Sequence, residues 1–323
     1  MIKRNDSTRI VRQTACLLLM TALCLNSFSA LAQTANAHSS TQATQVNAKQ
    51  STFPSLTGLC DKACLEQTMQ AFFAAVSSNR LEKVPALPHA EIRENTRIIA
   101  LSDSTWAKVR AIRSTLVFAD AVTGNVVGRA GVELADGKPG YLSTRLKVVA
   151  DGKISDIEIA ADTSNRVVKD YVWNLDKNME KVLAPEERID RIALDALLHR
   201  YFMTLSTHVA VKADYEESLC NRYHSGAQIT NVARNNVEGA GARTCISSNE
   251  GNPPWGPATE QRIAVIDEER GIVIGTTLLH YLKSPRGSKM YVNEIFKVVN
   301  GKIVKIDNIG LMQDGISTLG FAH

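Results

Sequence analysis

The chain lacks any apolar run long enough to cross a bilayer. The stretch from Ala15 to Leu25 falls short of the ~20 residues a spanning helix requires, and no later segment approaches it. It also lacks a Gly-rich phosphate loop, a Ser nucleophile elbow and the Cys-x-x-Cys or His-x-x-x-His spacings of a zinc site. These absences argue against the common cofactor-bound and nucleophilic enzyme classes and leave no metal and no cofactor expected. A charge excess is missing too. Lys3, Arg4, Arg9 and Arg12 precede the apolar run and Ala30-Leu31-Ala32 follows it, which is the order of a secretory signal cleaved after Ala32. Its removal takes four of 37 basic and one of 33 acidic residues, leaving 33 against 32. A near-neutral chain has no electrostatic footprint for a polyanion, so nucleic acid is excluded as a partner.

Two of the six cysteines leave with the signal, and Cys60, Cys64, Cys220 and Cys245 remain. In an exported chain an even count reads as disulfides. Pairing Cys60 with Cys64 and Cys220 with Cys245 keeps each bridge local, and the second would add roughly 3 kcal/mol on the chain-entropy argument. The expected address is periplasmic or secreted, with no membrane attachment after cleavage.

What the chain does contain, it contains twice. Residues 118–133, FADAVTGNVVGRAGVE, match 265–280, VIDEERGIVIGTTLLH, at a constant offset of 147, placing Asp120 with Asp267, Gly124 with Gly271 and Gly128 with Gly275. Downstream, LKVVADGKISDIEI (146–159) matches FKVVNGKIVKIDNI (296–309). Helical spacing of Leu65, Met69, Phe72, Phe73 and Val76, with Asp61 as N-cap, gives way to strands at about 112–120, 126–135, 140–149 and 153–160. In the second half, a helix start is expected at Pro185-Glu186-Glu187-Arg188, and Tyr201-Phe202 corresponds to Phe72-Phe73 and Arg222 to Arg93 at an offset of 129.

The expected organisation is therefore a signal peptide (1–32), a Ser/Thr/Gln-rich tether (33–57), a first domain (58–161), a helical connector (162–185) and a second domain (186–323). An insertion of about twenty residues between Arg222 and Trp255, Gly- and Pro-rich and holding Cys245, is the candidate lid. Strand 272–282 is apolar on both faces, so the two sheets must cover each other within the chain or the chain must dimerise.

The Tyr-Phe helix pair, Cys220-Asn221-Arg222, the turn at 265–271 and the strand pair at 296–303 resemble the nuclear transport factor two-like, or SnoaL-like, superfamily, and more narrowly a secreted group with two such domains in tandem. The resemblance implies an α+β fold of two cone-shaped domains, each a curved antiparallel sheet covered by N-terminal helices around an apolar pocket. The group pattern it implies, Cys-x-Arg-x-Glu-Asn-Gly, departs here to CNRYHSG at 220–226, with His224 and Ser225 where Glu and Asn are expected.

Candidate chemistry follows from these positions. His280 ends an apolar stripe (Ile272, Ile274, Thr276, Leu278) and reads either as a general acid or base or as a locally bonded strand-end histidine. Tyr223 and His224 read as its partners or as a surface pair beside a disulfide. Trp255 and Phe202 would wall a pocket; Arg222 and Glu294 would hold a ligand's polar end or pair with neighbours. Asp120 and Asp267 read as turn formers. The function these residues imply is binding of a small apolar or aromatic molecule, with cofactor-independent isomerase, dehydratase or lyase chemistry; the alternative is a non-catalytic binding or interaction module.

Overall fold

The computed structural model describes residues 60–232, 243–250, 255–316 and 318–320. The expected signal and tether, and much of the expected lid, lie outside the described residues. Helix α1 (Lys62–Ser77) is capped by Asp61, whose carboxylate accepts from the Cys64 amide at 2.9 Å, and it buries Leu65, Met69, Phe72, Phe73 and Val76. Strands β1 (Ala86–Glu94), β2 (Arg97–Ile98), β3 (Val109–Asp120), β4 (Asn125–Leu134), β5 (Pro139–Val148) and β6 (Ile154–Asp162) follow. They form one sheet in the order β2-β1-β6-β5-β4-β3.

Across residues 163–190 the chain makes one α-helical turn, α2 (Lys169–Val172), and two 3-10 turns, then enters α3 (Arg191–Thr207). Strands β7 (Asn221–His224) and β8 (Ala227–Gln228), helix α4 (Cys245–Glu250), and strands β9 (Trp255–Asp267), β10 (Ile272–Tyr281), β11 (Lys289–Val299) and β12 (Lys302–Gln313) complete the second half. Its order, β8-β7-β12-β11-β10-β9, repeats the first. The architecture is α+β in two domains, each a curved six-stranded sheet with helices packed on it. The sheets are not wholly antiparallel: β1 joins β6, and β7 joins β12, in parallel.

Three expectations need correction. The connector is docked, with Val172, Leu175 and Met179 buried, but it is largely extended with short 3-10 turns rather than one helix, and Val182 is exposed. Pro185-Glu186-Glu187 is a 3-10 turn; α3 starts six residues later, where Asp190 caps the Ala193 amide at 2.8 Å. Arg93 and Arg222 are not equivalent. Arg93 pairs with Glu158 on β6, whereas Arg222 pairs with Ile306, the counterpart of Ile157, so the true partner of Arg222 is Ile92. A shift of one residue moves a side chain to the other face of a sheet.

Each inner face takes its helix closely because a glycine sits beneath it. A Cβ on Gly128 would lie 2.5 Å from Phe73, and one on Gly275 would lie 2.5 Å from Leu198. The outer faces cover each other: Leu116, Phe118 and Val127 of the first sheet share one apolar cluster with Val265, Ile274, Leu278 and Ile295 of the second.

Polar contacts across this interface are exchanged in pairs. Tyr141 donates to Asp307 at 2.8 Å, and its counterpart Tyr291 donates to Glu158, the counterpart of Asp307, at 3.2 Å. Lys62 at the start of α1 reaches Asp267 at 2.9 Å; Arg191 at the start of α3 reaches Asp120 at 2.9 and 2.7 Å. Asp120 also accepts from the Val122 amide in its own turn and from the Ile266 amide of the other sheet. The two aspartates are thus turn formers that also carry the inter-repeat ion pairs.

Asp120→Ala strips the buried end of this network and leaves Arg191 without its carboxylate, so we expect a loss of about 3 kcal/mol in urea denaturation. A loss below about 0.5 kcal/mol would mean that the exchanged pairs do not hold the halves together.

Candidate functional site

The two inner faces have diverged. In the first half Trp106, 1 % exposed, packs edge-on against Phe72 at 5.5 Å and donates its indole N–H to Thr144 at 2.9 Å. That cone is filled by its own side chains. In the second half the counterpart of Thr144 is Glu294, that of Phe72 is Tyr201, and that of Ile159 is Asn308. Trp255, the sequence match of Trp106, opens β9 half-buried and tilts against Tyr281 with ring centres 5.0 Å apart. A cavity of about 280 Å³ lies behind it, walled by Leu205, Ile229, Leu279, Met290 and Val292, with polar groups from Arg222, His224, Arg243, Ser248 and Asn308.

Beneath this wall Glu294 is fully buried, and its Oε1 accepts three bonds: Tyr201 at 2.8 Å, Asn308 at 2.9 Å and Arg222 at 3.1 Å. Its Oε2 has no partner, nor do Asn308 Oδ1 and Arg222 Nε. Unsatisfied buried polar atoms are costly and are commonly found where function requires them. Burial and the neighbouring Glu294 hold the Tyr201 hydroxyl far above its ordinary pKa, with Arg222 opposing them, so Tyr201 stays a donor. Arg222 also donates to Asn249 at 2.5 Å. Asn249 is presented by α4, which the Cys220–Cys245 disulfide ties beside the start of β7. The second disulfide, Cys60–Cys64, sits at the start of α1.

His224 lies next to Arg222 on the same face. Burial, reinforced by the charges of Arg222 and Arg166, pulls its pKa down to about 4, so the ring is neutral near pH 7. Its Nε2 is buried without a hydrogen-bond partner, so a neutral ring presents an unpaired polar atom to the cavity.

The structure does not bring the other expected residues here. His280 does share a face with Ile272, Ile274 and Leu278, but that face packs on the first sheet; the cavity is lined by the alternate residue, Leu279. Its Nε2 lies 3.1 Å from the Thr259 hydroxyl, and burial with Lys289 nearby lowers its pKa. Tyr223 also points away, stacked on Tyr171 at 4.5 Å and bonded to Gln228. Phe202 is wholly buried against Gly275 and Tyr201, behind the cavity rather than on it. Asn308 and Asn249 were not singled out from the sequence, and Tyr201 only as the helix match of Phe72; matching 146–159 with 296–309 end to end sets Asn308 against Glu158, whereas strand pairing sets it against Ile159. Among the described residues no three His, Cys, Asp or Glu side chains converge to hold a metal ion, and no helix is long and apolar enough to cross a membrane.

Residues 187–310, which contain this site, match a family described as a domain of unknown function, DUF8021. No curated protein matches the chain. Among solved structures, a candidate ketosteroid isomerase from Kribbella flavida DSM 17836 is similar at 12 % identity over 41 % of this chain and 98 % of that one, with a TM-score of 0.26. PrhC from Penicillium brasilianum NBRC 6234 is similar at 12 % identity over 31 % and 82 %, with a TM-score of 0.26. AclR, a candidate hydroxylase from Streptomyces galilaeus, is similar at 14 % identity over 32 % and 91 %, with a TM-score of 0.25. Likenesses of this size carry no argument about activity.

The depressed His224 pKa sets a pH dependence. In the unfolded chain the ring titrates near ~6.5, so between there and about pH 4 the unfolded state holds the extra proton and stability falls as pH falls. The drop is at most about 3 kcal/mol, levels off below pH 4, and should be missing from His224→Gln in denaturation curves collected across that range.

Proposed function

We propose that this is an exported protein of two tandem nuclear transport factor two-like domains, in which the second binds a small, largely apolar or aromatic molecule. The observation that carries the reading is the Glu294 and Arg222 pair under an apolar-walled cavity, with Glu294 Oε2 and Asn308 Oδ1 left without partners. Arg222 is already paired with Glu294, and Arg243 lines the cavity from an exposed position. The unpartnered Asn308 Oδ1 and His224 Nε2 favour a ligand that presents a hydroxyl group to them. The signal-like N-terminus and the two disulfides support export.

His224 is the group through which the same cavity would handle a proton, in isomerase, dehydratase or lyase chemistry. A base with a pKa of about 4 is weak. It can abstract only a comparatively acidic proton, and this favours binding over turnover for most ligands.

The test is a thermal-shift screen of the oxidised protein against small aromatic and isoprenoid compounds. Ligand at a hundred times its Kd should stabilise the protein by about 2.7 kcal/mol. Hits are expected to vanish in Leu279→Trp, which fills the cavity, and to survive His280→Ala, which lies on the other face. Hits that survive Leu279→Trp would refute the site. Turnover of a hit that disappears in His224→Gln while binding persists would establish proton handling; binding without turnover would leave a binding module.

A further inference from the structure

His224 stands just before a turn that both halves contain. In the first half Glu94 pairs with Ile159, and the next amide, that of Asn95, donates to the Ile159 carbonyl at 2.8 Å. In the second half His224 pairs with Asn308, and the Ser225 amide donates to the Asn308 carbonyl at 2.8 Å. Since Ile159 and Asn308 are counterparts, so are Glu94 and His224, and so are Asn95 and Ser225. Asn95 and Ser225 both take the left-handed backbone conformation, at φ of 50° and 48°. Asparagine tolerates that region, whereas serine has no such preference.

The two turns are held in different ways. Asn95 holds its turn within its own sheet: its side-chain amide donates to the Ala161 carbonyl at 3.1 Å, and its side-chain carbonyl accepts from the Ala161 amide at 2.9 Å. Serine has only one hydroxyl and cannot make that double bond to Gly310, the counterpart of Ala161. Instead the Ser225 hydroxyl donates to Asp162, the last residue of β6 in the first half, at 2.5 Å, and both side chains are buried. Asp162 is fixed in turn, because its Oδ1 accepts from the Ser164 amide at 2.9 Å. The same segment adds two more ties. The Val168 amide donates to the Ser225 carbonyl at 3.0 Å, and Tyr171 packs on Gly226 so closely that a Cβ there would lie 3.1 Å from it. A clamp inside one repeat has been exchanged for a clamp between the two.

The residue before the turn changes its task as well. Glu94 is fully engaged, accepting from the Thr105 amide at 2.7 Å and the Thr105 hydroxyl at 2.8 Å, beside the Trp106 that fills the first cone. His224 lines the open cavity with Nε2 unpartnered, and its ring lies against Gly310, where a Cβ would be 2.8 Å from Cε1.

We propose that Asp162 is a positioning residue for His224: through Ser225 the first half sets where the imidazole stands in the second half's cavity, so that cavity is complete only when both repeats are present. The importance of that position rests on reading the cavity as the ligand site. A thermal-shift screen without hits would count against that reading, whereas the imidazole can be followed with no ligand at all.

The charges acting on the ring are those of Arg222, Arg166 and Asp162, and Arg243 lines the same cavity. They allow position to be separated from charge. Loss of the Asp162 charge alone would push the His224 pKa further below about 4, whereas release of the ring into water would raise it towards ~6.5. The experiment is NMR of the full oxidised protein with labelled histidine, titrated from about pH 3 to about pH 8, with the His224 signal identified by its loss in His224→Gln. Ser225→Ala and Asp162→Ala should each raise the pKa by about one unit or more. Asp162→Asn keeps an acceptor for Ser225 and should leave it at about 4 or below. Combining Asp162→Ala with Ser225→Asn, which restores the self-contained clamp of the first half, should also return it to about 4 or below, and it guards against a single variant that fails to fold. A pKa unchanged or lowered in both Ser225→Ala and Asp162→Ala, or no recovery on adding Ser225→Asn, would overturn the proposal.

Discussion

The exchange of polar contacts between the two sheets is the constraint on which the rest of the molecule depends. Each sheet is apolar on both faces and cannot stand alone in water. The shared cluster around Phe118, Val265 and Ile274 supplies the attraction, which is non-directional. Direction comes from Tyr141 on Asp307, Tyr291 on Glu158, Lys62 on Asp267 and Arg191 on Asp120. A carboxylate buried without its partner is expensive, so these pairs penalise other registers more than they stabilise this one. Glu158 illustrates the balance: burial works against its charge, but Arg262 and Arg145 hold its pKa below the ordinary value.

Because the outer faces are consumed by this pairing, only the inner faces remain for ligands. The first inner face has closed around Trp106, with Thr144 satisfying the indole. In the second, a carboxylate and an arginine occupy the floor and the tryptophan has moved to the mouth. The duplication has thus separated a filled, scaffolding cone from an open, polar-floored one. The connector adds to the shared cluster through Val172, Leu175 and Met179.

Much of the fold was readable because repeats, helical spacing and strand alternation are local. Asp61 as a cap, the Phe72-Phe73 helix face and the glycine pair 128 and 275 lie where the pattern put them. The site was less legible, for a physical reason. His280 and Leu279 are neighbours on a strand whose two faces are equally apolar, so composition gave no sign of which faced the cavity and which faced the other sheet. Arg222 was matched to Arg93 by identity, but strand register, set by pairing with β12, places it opposite Ile306. The connector's spacing of Val172, Leu175 and Met179 suits a helix, yet Lys297 draws its carbonyls into an extended course. Tertiary hydrogen bonds overrode local propensity there.

The most direct measurement is native-state hydrogen exchange at increasing denaturant, following the amides of Leu142 in β5 and Val292 in β11. If the exchanged contacts make the two sheets one cooperative body, both amides should open at the same free energy and merge with global unfolding. Two separate plateaus, with one sheet opening more than about 1 kcal/mol before the other, would contradict the account.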